Sequence, residues 1–149
     1  MSDIYENIFA SLVKFTQDFI AENASISPDV DFVNWDAHAS LNMLPNKDLI
    51  GFGNLGVNTD DAFHHIEVSF GVSTVDDLNL FRHVKLISKL HSKLLPEKQI
   101  PLIAADDGRD LGVMIVVDNT DVLPVAKTET RPIQFIMVSL ESTVTSDRG

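Results

Sequence analysis

The chain contains no cysteine, and only 11 of its 149 residues are lysine or arginine, against 22 aspartates and glutamates. Without cysteine, disulfides, thiol nucleophiles and cysteine-ligated zinc or iron–sulfur sites are excluded. The net charge of −11 disfavours binding to nucleic acid and to anionic membranes, because both are negatively charged. No apolar run approaches the roughly 20 residues that a membrane-spanning helix needs. The acidic N-terminus does not resemble a secretory signal, so we expect synthesis in a cytoplasm.

Hydrophobic residues make up 44% of the chain, which at this length is enough for one buried core. We expect one domain over residues 1–140. The last segment, residues 141–149, has no hydrophobic pattern apart from Val144, so we expect a flexible C-terminal tail.

The clearest local pattern is a change of period at Thr74. Residues 62–73 alternate between apolar and mostly polar side chains, which predicts a strand with one buried face. The residues that follow carry apolar side chains at helical spacing, at Leu80, Val84, Ile87, Leu90 and Leu94. Thr74 and Asp77 stand at capping-box spacing, and Pro96 ends the predicted helix.

The rest of the chain contains shorter patterns. They predict a helix over 3–22 capped by Ser2 or Asp3, strands over 30–35, 100–104, 111–117 and 133–140, and a long loop over 37–61 that includes a short strand at 49–52. The strands over 111–117 and 133–140 are mostly apolar on both faces, so we expect them to lie centrally in the sheet or to be covered by helices and neighbouring subunits. The predicted fold class is α+β, with one mixed or mostly antiparallel sheet of about four main strands and two helices packed on one face.

No pattern predicts catalysis, a cofactor or a metal. Residues 51–56 match G-x-G-x-x-G, but no strand leads in and no helix follows, as a dinucleotide site requires. His64 and His65 point to opposite faces of a strand, and His83 and His91 are about 12 Å apart along a helix. The aspartate pairs stand at element ends, where they serve as turn and cap residues. We therefore expect a protein that is not an enzyme.

Four stretches, in their order along the chain, carry a resemblance to a known family. They are the opening helix at residues 4–12, the alternating strand at 65–72, the amphipathic helix at 81–87, and the final strand preceded by an arginine at 129–138. This arrangement resembles the tail terminator (tail completion) proteins of long-tailed bacteriophages, over roughly residues 4–140. The loop over 37–61 and the tail after residue 141 depart from the family pattern.

The resemblance implies a structural virion protein without a cofactor. Its homohexameric ring would cap the tail tube, stop tube polymerisation and provide the head–tail joining surface. The implied partners are the tail tube protein and head-completion or neck proteins, DNA would pass through the lumen without specific binding, and no membrane is involved. The implied location is the tail or neck of the virion, after assembly in the host cytoplasm. The candidate assembly-interface residues lie in two predicted long loops, over 37–61 and 118–131: Phe52, Asn54, Lys127, Glu129 and Arg131.

Two other hypotheses stay open. A small acidic chaperone or adaptor would form a dimer and bind unfolded or partner segments through exposed apolar patches. A small metal-dependent enzyme would instead retain stoichiometric metal, which would raise its thermal stability.

Overall fold

A computed structural model describes residues 3–37, 44–126 and 131–144 of the chain. In the described part, two α-helices and six β-strands are joined by short 3-10 helices at Trp35–Ala37 and Leu78–Leu80. The elements are α1 (Ile4–Glu22), β1 (Val30–Asn34), β2 (Asp48–Thr59), β3 (Phe63–Ser73), α2 (Phe81–Lys93), β4 (Gln99–Ile103), β5 (Asp110–Val122) and β6 (Gln134–Thr143).

The six strands form one sheet in the order β1-β2-β3-β6-β5-β4. The β1–β2 pair is parallel and every other pair is antiparallel. The predicted α+β class with two helices and one mixed sheet is confirmed. The predicted count of about four strands is wrong, because the sheet has six strands and curls into a half-barrel.

Strand β2 accounts for much of that difference, since it occupies twelve residues of a segment predicted to be mostly loop. Its glycines allow adjacent segments of the backbone to approach closely. A Cβ at Gly51 would collide with the Val33 carbonyl on β1, and one at Gly53 would lie 2.9 Å from the Asp36 carboxylate. Pairing with β1 and β3 on its two sides stabilises β2 although its composition is typical of a loop. The G-x-G-x-x-G match lies within this strand and is not a strand–turn–helix motif.

Helix α1 begins as its sequence predicts. The Asp3 side chain accepts a hydrogen bond from the Glu6 amide (2.8 Å), and the Glu6 side chain accepts one from the Asp3 amide (3.3 Å). This reciprocal capping box satisfies two amides that have no partner within the helix.

Both helices pack on the same face of the sheet, as predicted. Phe9 and Phe15 of α1 make edge-on contacts with Phe52 and Phe70 of the sheet. Leu86, Leu90 and Leu94, from α2 and the residue after it, belong to the same buried cluster. The sheet residues of this core face alternate along the central strands: Ile66, Val68, Phe70 and Val72 on β3, and Ile136, Val138 and Leu140 on β6.

The second face of the sheet is only partly covered. Trp35 packs edge-on against Phe135, but Met137, two residues along β6, is 50% exposed. Strand β6 lies centrally in the sheet, as predicted. No helix of the described residues covers this side, and its burial by a neighbouring subunit stays a prediction. Strand β6 continues to Thr143, three residues past the predicted end of the domain, and residues 145–149 of the predicted tail lie outside the described part.

Helix α2 begins later than predicted. Its first residue is Phe81, and the turn before it contains a kink at Asn79. No helix in the described part is long and apolar enough to span a membrane.

Candidate assembly surface

The start of α2 carries the most exposed large hydrophobic side chains of the described residues. Leu78 is 86% exposed, Phe81 69% and Val84 59%. Phe81 and Val84 are three residues apart on the helix, so their side chains are neighbours, and Leu78 precedes them by one turn of chain. We call these three residues the α2 patch. Exposed apolar side chains that are adjacent in this way are typical of interaction surfaces.

The backbone that presents the α2 patch is strained. Asp76, Asn79 and Leu80 have φ angles of 50°, 63° and 57°, in the left-handed region. Asparagine and aspartate tolerate this region, but for leucine it costs about 1–2 kcal/mol. Such conformations persist only where surrounding contacts hold them, and they concentrate at functional sites.

Asp77 provides the first of these contacts by capping α2 across the kink. Its carboxylate accepts hydrogen bonds from the backbone amides of Arg82 (3.1 Å) and His83 (2.8 Å) and from the Thr74 hydroxyl (3.0 Å). Burial opposes ionisation of Asp77, but these hydrogen bonds outweigh it and lower the pKa of the carboxyl group. The predicted Thr74–Asp77 pair is therefore formed, through a side-chain contact and not as a standard capping box.

Arg82 ties the same turn of α2 to the sheet. Its Nε and Nη2 donate to the two carboxylate oxygens of Asp48 at 2.6 and 2.9 Å. Asp48, the first residue of β2, is buried and also accepts from the Ser27 hydroxyl (2.5 Å) and the Val75 amide (3.0 Å). Burial alone would raise the pKa of Asp48. The hydrogen bonds from these donors outweigh that effect, so the pKa of Asp48 lies below its ordinary value.

His83 makes a third connection, to β6. Its Nε2 lies 2.9 Å from Oε1 of Gln134, and the Gln134 amide nitrogen donates to the Leu123 carbonyl at 2.8 Å. Because the Gln134 side chain turns its Oε1, which can only accept, toward His83, Nε2 is the protonated nitrogen of the buried His83 ring. The first turn of α2 is thus fixed to β2 and to β6 while its apolar side chains remain exposed.

The structure describes three of the five predicted interface residues, and none of the three belongs to the α2 patch. Phe52 is 1% exposed and lies in the core, so its side chain is not available at the monomer surface. Asn54 is exposed at the bulge of β2, with a φ of 56°, and its amide donates to both oxygens of the Asp36 carboxylate. Lys127 and Glu129 lie outside the described residues.

Arg131 is buried and has a structural role in the monomer. Its guanidinium donates to the Ser73 hydroxyl (2.6 Å), to the carbonyls of Ser73 (3.3 Å) and Pro45 (2.8 Å), and to the Lys47 carbonyl. Burial lowers the pKa of the Arg131 guanidinium. The hydrogen bonds of Arg131 thus join the chain before β6 to β3 and to the segment before β2. An interface role for any of the five residues stays a prediction.

Sequence reasoning did not find the α2 patch. The helical spacing assigned Val84 to the same apolar stripe as Ile87 and Leu90, yet Val84 faces outward. Leu78 and Phe81 do not fit that stripe, and this mismatch was the available signal. Two large apolar residues outside the stripe at the start of a helix indicate a second apolar surface.

The described residues also form a cavity of about 550 Å³ between α1 and edge strand β4. Its charged side chains are largely paired with one another, Lys14 with Asp18 at 2.7 Å and Lys93 with Glu22 at 3.4 Å. Within the described ranges, no group of three or more histidine and carboxylate side chains could hold a metal ion. The cavity therefore offers no recognisable catalytic arrangement.

Neither a protein-family model nor a curated protein sequence matches this chain.

Proposed function

We propose that this chain is a homo-oligomeric assembly protein, of the kind that closes the end of a phage tail tube as a ring. The observation that carries the proposal is the α2 patch, since three neighbouring apolar side chains stand exposed on a segment that the fold holds rigidly. A rigid apolar anchor loses little conformational entropy on binding, which suits a protein–protein contact.

The charge of the chain supports a position around DNA. With a net charge of −11 per copy, a ring would present an acidic lumen, and the DNA backbone would be repelled from its wall. A genome could then pass without adhering. The order of elements, with an opening helix, an alternating strand, an amphipathic helix and a final long strand, is the arrangement that resembles tail terminator proteins.

The test is the solution mass of the purified chain together with negative-stain electron microscopy of the same sample. We expect rings with a central hole, formed by the chain alone or at the ends of added tail tubes. Phe81→Asp should abolish ring formation, because it places a charge at the centre of the contact. Leu95→Asp, at an exposed residue beyond the other end of α2, is the matched control and should not.

The alternative is a small acidic chaperone or adaptor that uses the α2 patch to bind unfolded segments. It predicts a stable dimer that never forms rings and that binds an apolar peptide through Phe81. That result would replace the ring proposal.

A further inference from the structure

The α2 patch continues into positive charge that has no ion-pair partner among the described residues. Among the described residues, Lys85, Lys89 and Lys98 are the lysines that make no ion pair with a described carboxylate. Lys85 lies one helical turn from Phe81, and Lys89 one turn further. Asp76 adds one negative charge in the strained turn before the helix. The helix surface is therefore apolar at its start and basic along the next two turns.

The opposite arrangement, apolar residues bordered by carboxylates, occurs on the second face of the sheet. Met137 on β6 pairs with Asp121 on β5 and is diagonal to Glu67 on β3, whose register partner is Ser139. Paired residues share a face, so both carboxylates border the exposed Met137 side chain. Phe63 lies on the same face of β3 and is 40% exposed. We call Phe63, Glu67, Asp121 and Met137 the acidic sheet face.

Neither Glu67 nor Asp121 makes an ion pair with a described basic side chain. Asp118 adds to the negative charge here, since it is near enough to His65 to help raise the pKa of that ring. In a chain with twice as many acidic as basic residues, the unpaired lysines of α2 thus have a complementary surface on the molecule itself, but on its other side.

We propose that the α2 patch of one copy docks on the acidic sheet face of the next copy, with Lys85 and Lys89 opposite Glu67 and Asp121. The helix covers the core face of the sheet and the acidic sheet face is its reverse, so one copy can use both surfaces at once. Such a contact is heterologous, and it builds a closed ring when the rotation between copies closes. This inference deepens the proposed function and rests on its homo-oligomer.

Charge reversal on each surface tests the contact. The first variant is Lys85→Glu/Lys89→Glu, and the second is Glu67→Lys/Asp121→Lys. Sedimentation velocity over about 1 μM to about 1 mM protein covers the range in which a weak specific contact would appear. Each variant alone should weaken self-association by roughly tenfold or more, because like charges would face each other. All four changes in one chain should restore association, since the attraction is then re-formed with reversed signs.

Single substitutions give the matched control for charge. Lys85→Glu and Lys98→Glu change the net charge equally, but Lys98 lies beyond the end of α2, just before β4, and not beside the α2 patch. Only Lys85→Glu should weaken association. Far-UV circular dichroism of each variant confirms that the fold is retained.

Mixing the two double variants identifies the type of contact. In the mixture every junction between unlike variants brings opposite charges together, so a heterologous contact predicts that the two variants associate in alternation although neither associates well alone. If the α2 patch instead met its own copy across a two-fold axis, the Glu67→Lys/Asp121→Lys variant would associate like the wild type, and the proposal would be wrong. Association of both double variants at wild-type strength, or a wild-type chain that stays monomeric throughout, would also overturn it.

A different result would contradict the proposed function and leave this contact intact. Rings that respond to both charge reversals but never bind tube ends would retain this contact and remove the tail role.

Discussion

Arg82 and Asp48 form a two-point ion pair that joins the first turn of α2 to the start of β2, with N–O distances of 2.6 and 2.9 Å. Replacing Arg82 with leucine leaves Asp48 as a buried charge without its partner. Because that charge has few other donors, we expect Arg82→Leu to lower the free energy of unfolding by roughly 3 kcal/mol in urea titrations. Lys85→Leu, at an exposed and unpaired position of the same helix, is the control and should change it by less than about 0.5 kcal/mol. Equal effects of the two substitutions would contradict this role of the pair.

The same pair predicts an acid dependence of stability. The pKa of Asp48 in the folded chain lies below its ordinary value of 3.8. A carboxyl group with a lowered folded pKa stabilises the fold above its unfolded pKa, and this stabilisation is lost as pH falls through the folded value. The free energy of unfolding should therefore decrease below about pH 4, and less steeply in Asp48→Asn than in the wild type. Parallel pH profiles for the two proteins would argue against Asp48 as a source of the acid sensitivity.

Gly71 is required where Trp35 crosses the second face of the sheet. A Cβ at this position would lie 2.6 Å from the Trp35 Nε1 and 2.7 Å from the Phe135 ring. We expect Gly71→Ala to destabilise the fold by about 1–3 kcal/mol and to alter the emission of Trp35, the only tryptophan. Gly56→Ala is the matched control, because nothing lies within 4 Å of its Cβ position. Unchanged tryptophan emission in Gly71→Ala would show that Trp35 does not pack there.

At position 131 we expect lysine to stabilise the fold less than arginine does. The planar guanidinium of Arg131 serves four acceptors on two separate segments, and an ammonium on a flexible stem cannot match that geometry. Arg131→Lys should lower the free energy of unfolding by about 1–3 kcal/mol, because buried acceptors lose their donors. Arg109→Lys keeps an exposed ion pair with Asp107 and should have an effect below about 1 kcal/mol. If the two substitutions cost the same, the buried hydrogen bonds of Arg131 contribute little.

Local signals explain which elements the sequence predicts. Helix α1 and its Asp3 cap follow from side chains within four residues of one another, and β3 follows from strict alternation. Strand β2 depends on close approach at Gly51 and Gly53 by chain that is distant in sequence, and a glycine-rich segment gives no local sign of this. The strands that pair with one another are likewise distant in sequence, so local patterns do not predict that the sheet has six strands.

Local patterns also failed to predict the α2 patch, for a related reason. Helical spacing indicates that α2 has one apolar stripe, but it does not locate the kink at Asn79 before the helix or the exposure of Phe81 and Val84. That kink is held by Asp77 and by the Arg82–Asp48 pair, whose partners are 34 residues apart. The structural contacts of Arg131 were hidden in the same way, since its hydrogen bonds go to residues 45, 47 and 73, which are distant in sequence.

His65 provides a pH-dependent contact beside the acidic sheet face. Its Nε2 lies 2.8 Å from Oδ2 of Asp60, and its Nδ1 lies 3.7 Å from Oε1 of Glu141. The hydrogen bond to Asp60 is the main reason that the pKa of His65 is raised, and it lowers the pKa of Asp60 to about 2. A histidine with a raised folded pKa stabilises the fold below its unfolded value of 6.5, and this stabilisation disappears as pH rises through the folded value.

Asp60→Asn should therefore lower the pKa of His65 more than Glu141→Gln does, because it removes both the strongest hydrogen-bond acceptor and a charge. A proton NMR titration of the ring resonances measures both pKa values directly. His65→Gln provides the assignment, because only the resonance of residue 65 disappears. The stability difference between the wild type and His65→Gln should shrink as pH rises through the measured pKa of His65. A larger shift from Glu141→Gln than from Asp60→Asn would mean that the long-range field of the sheet face, and not the 2.8 Å contact, controls this ring.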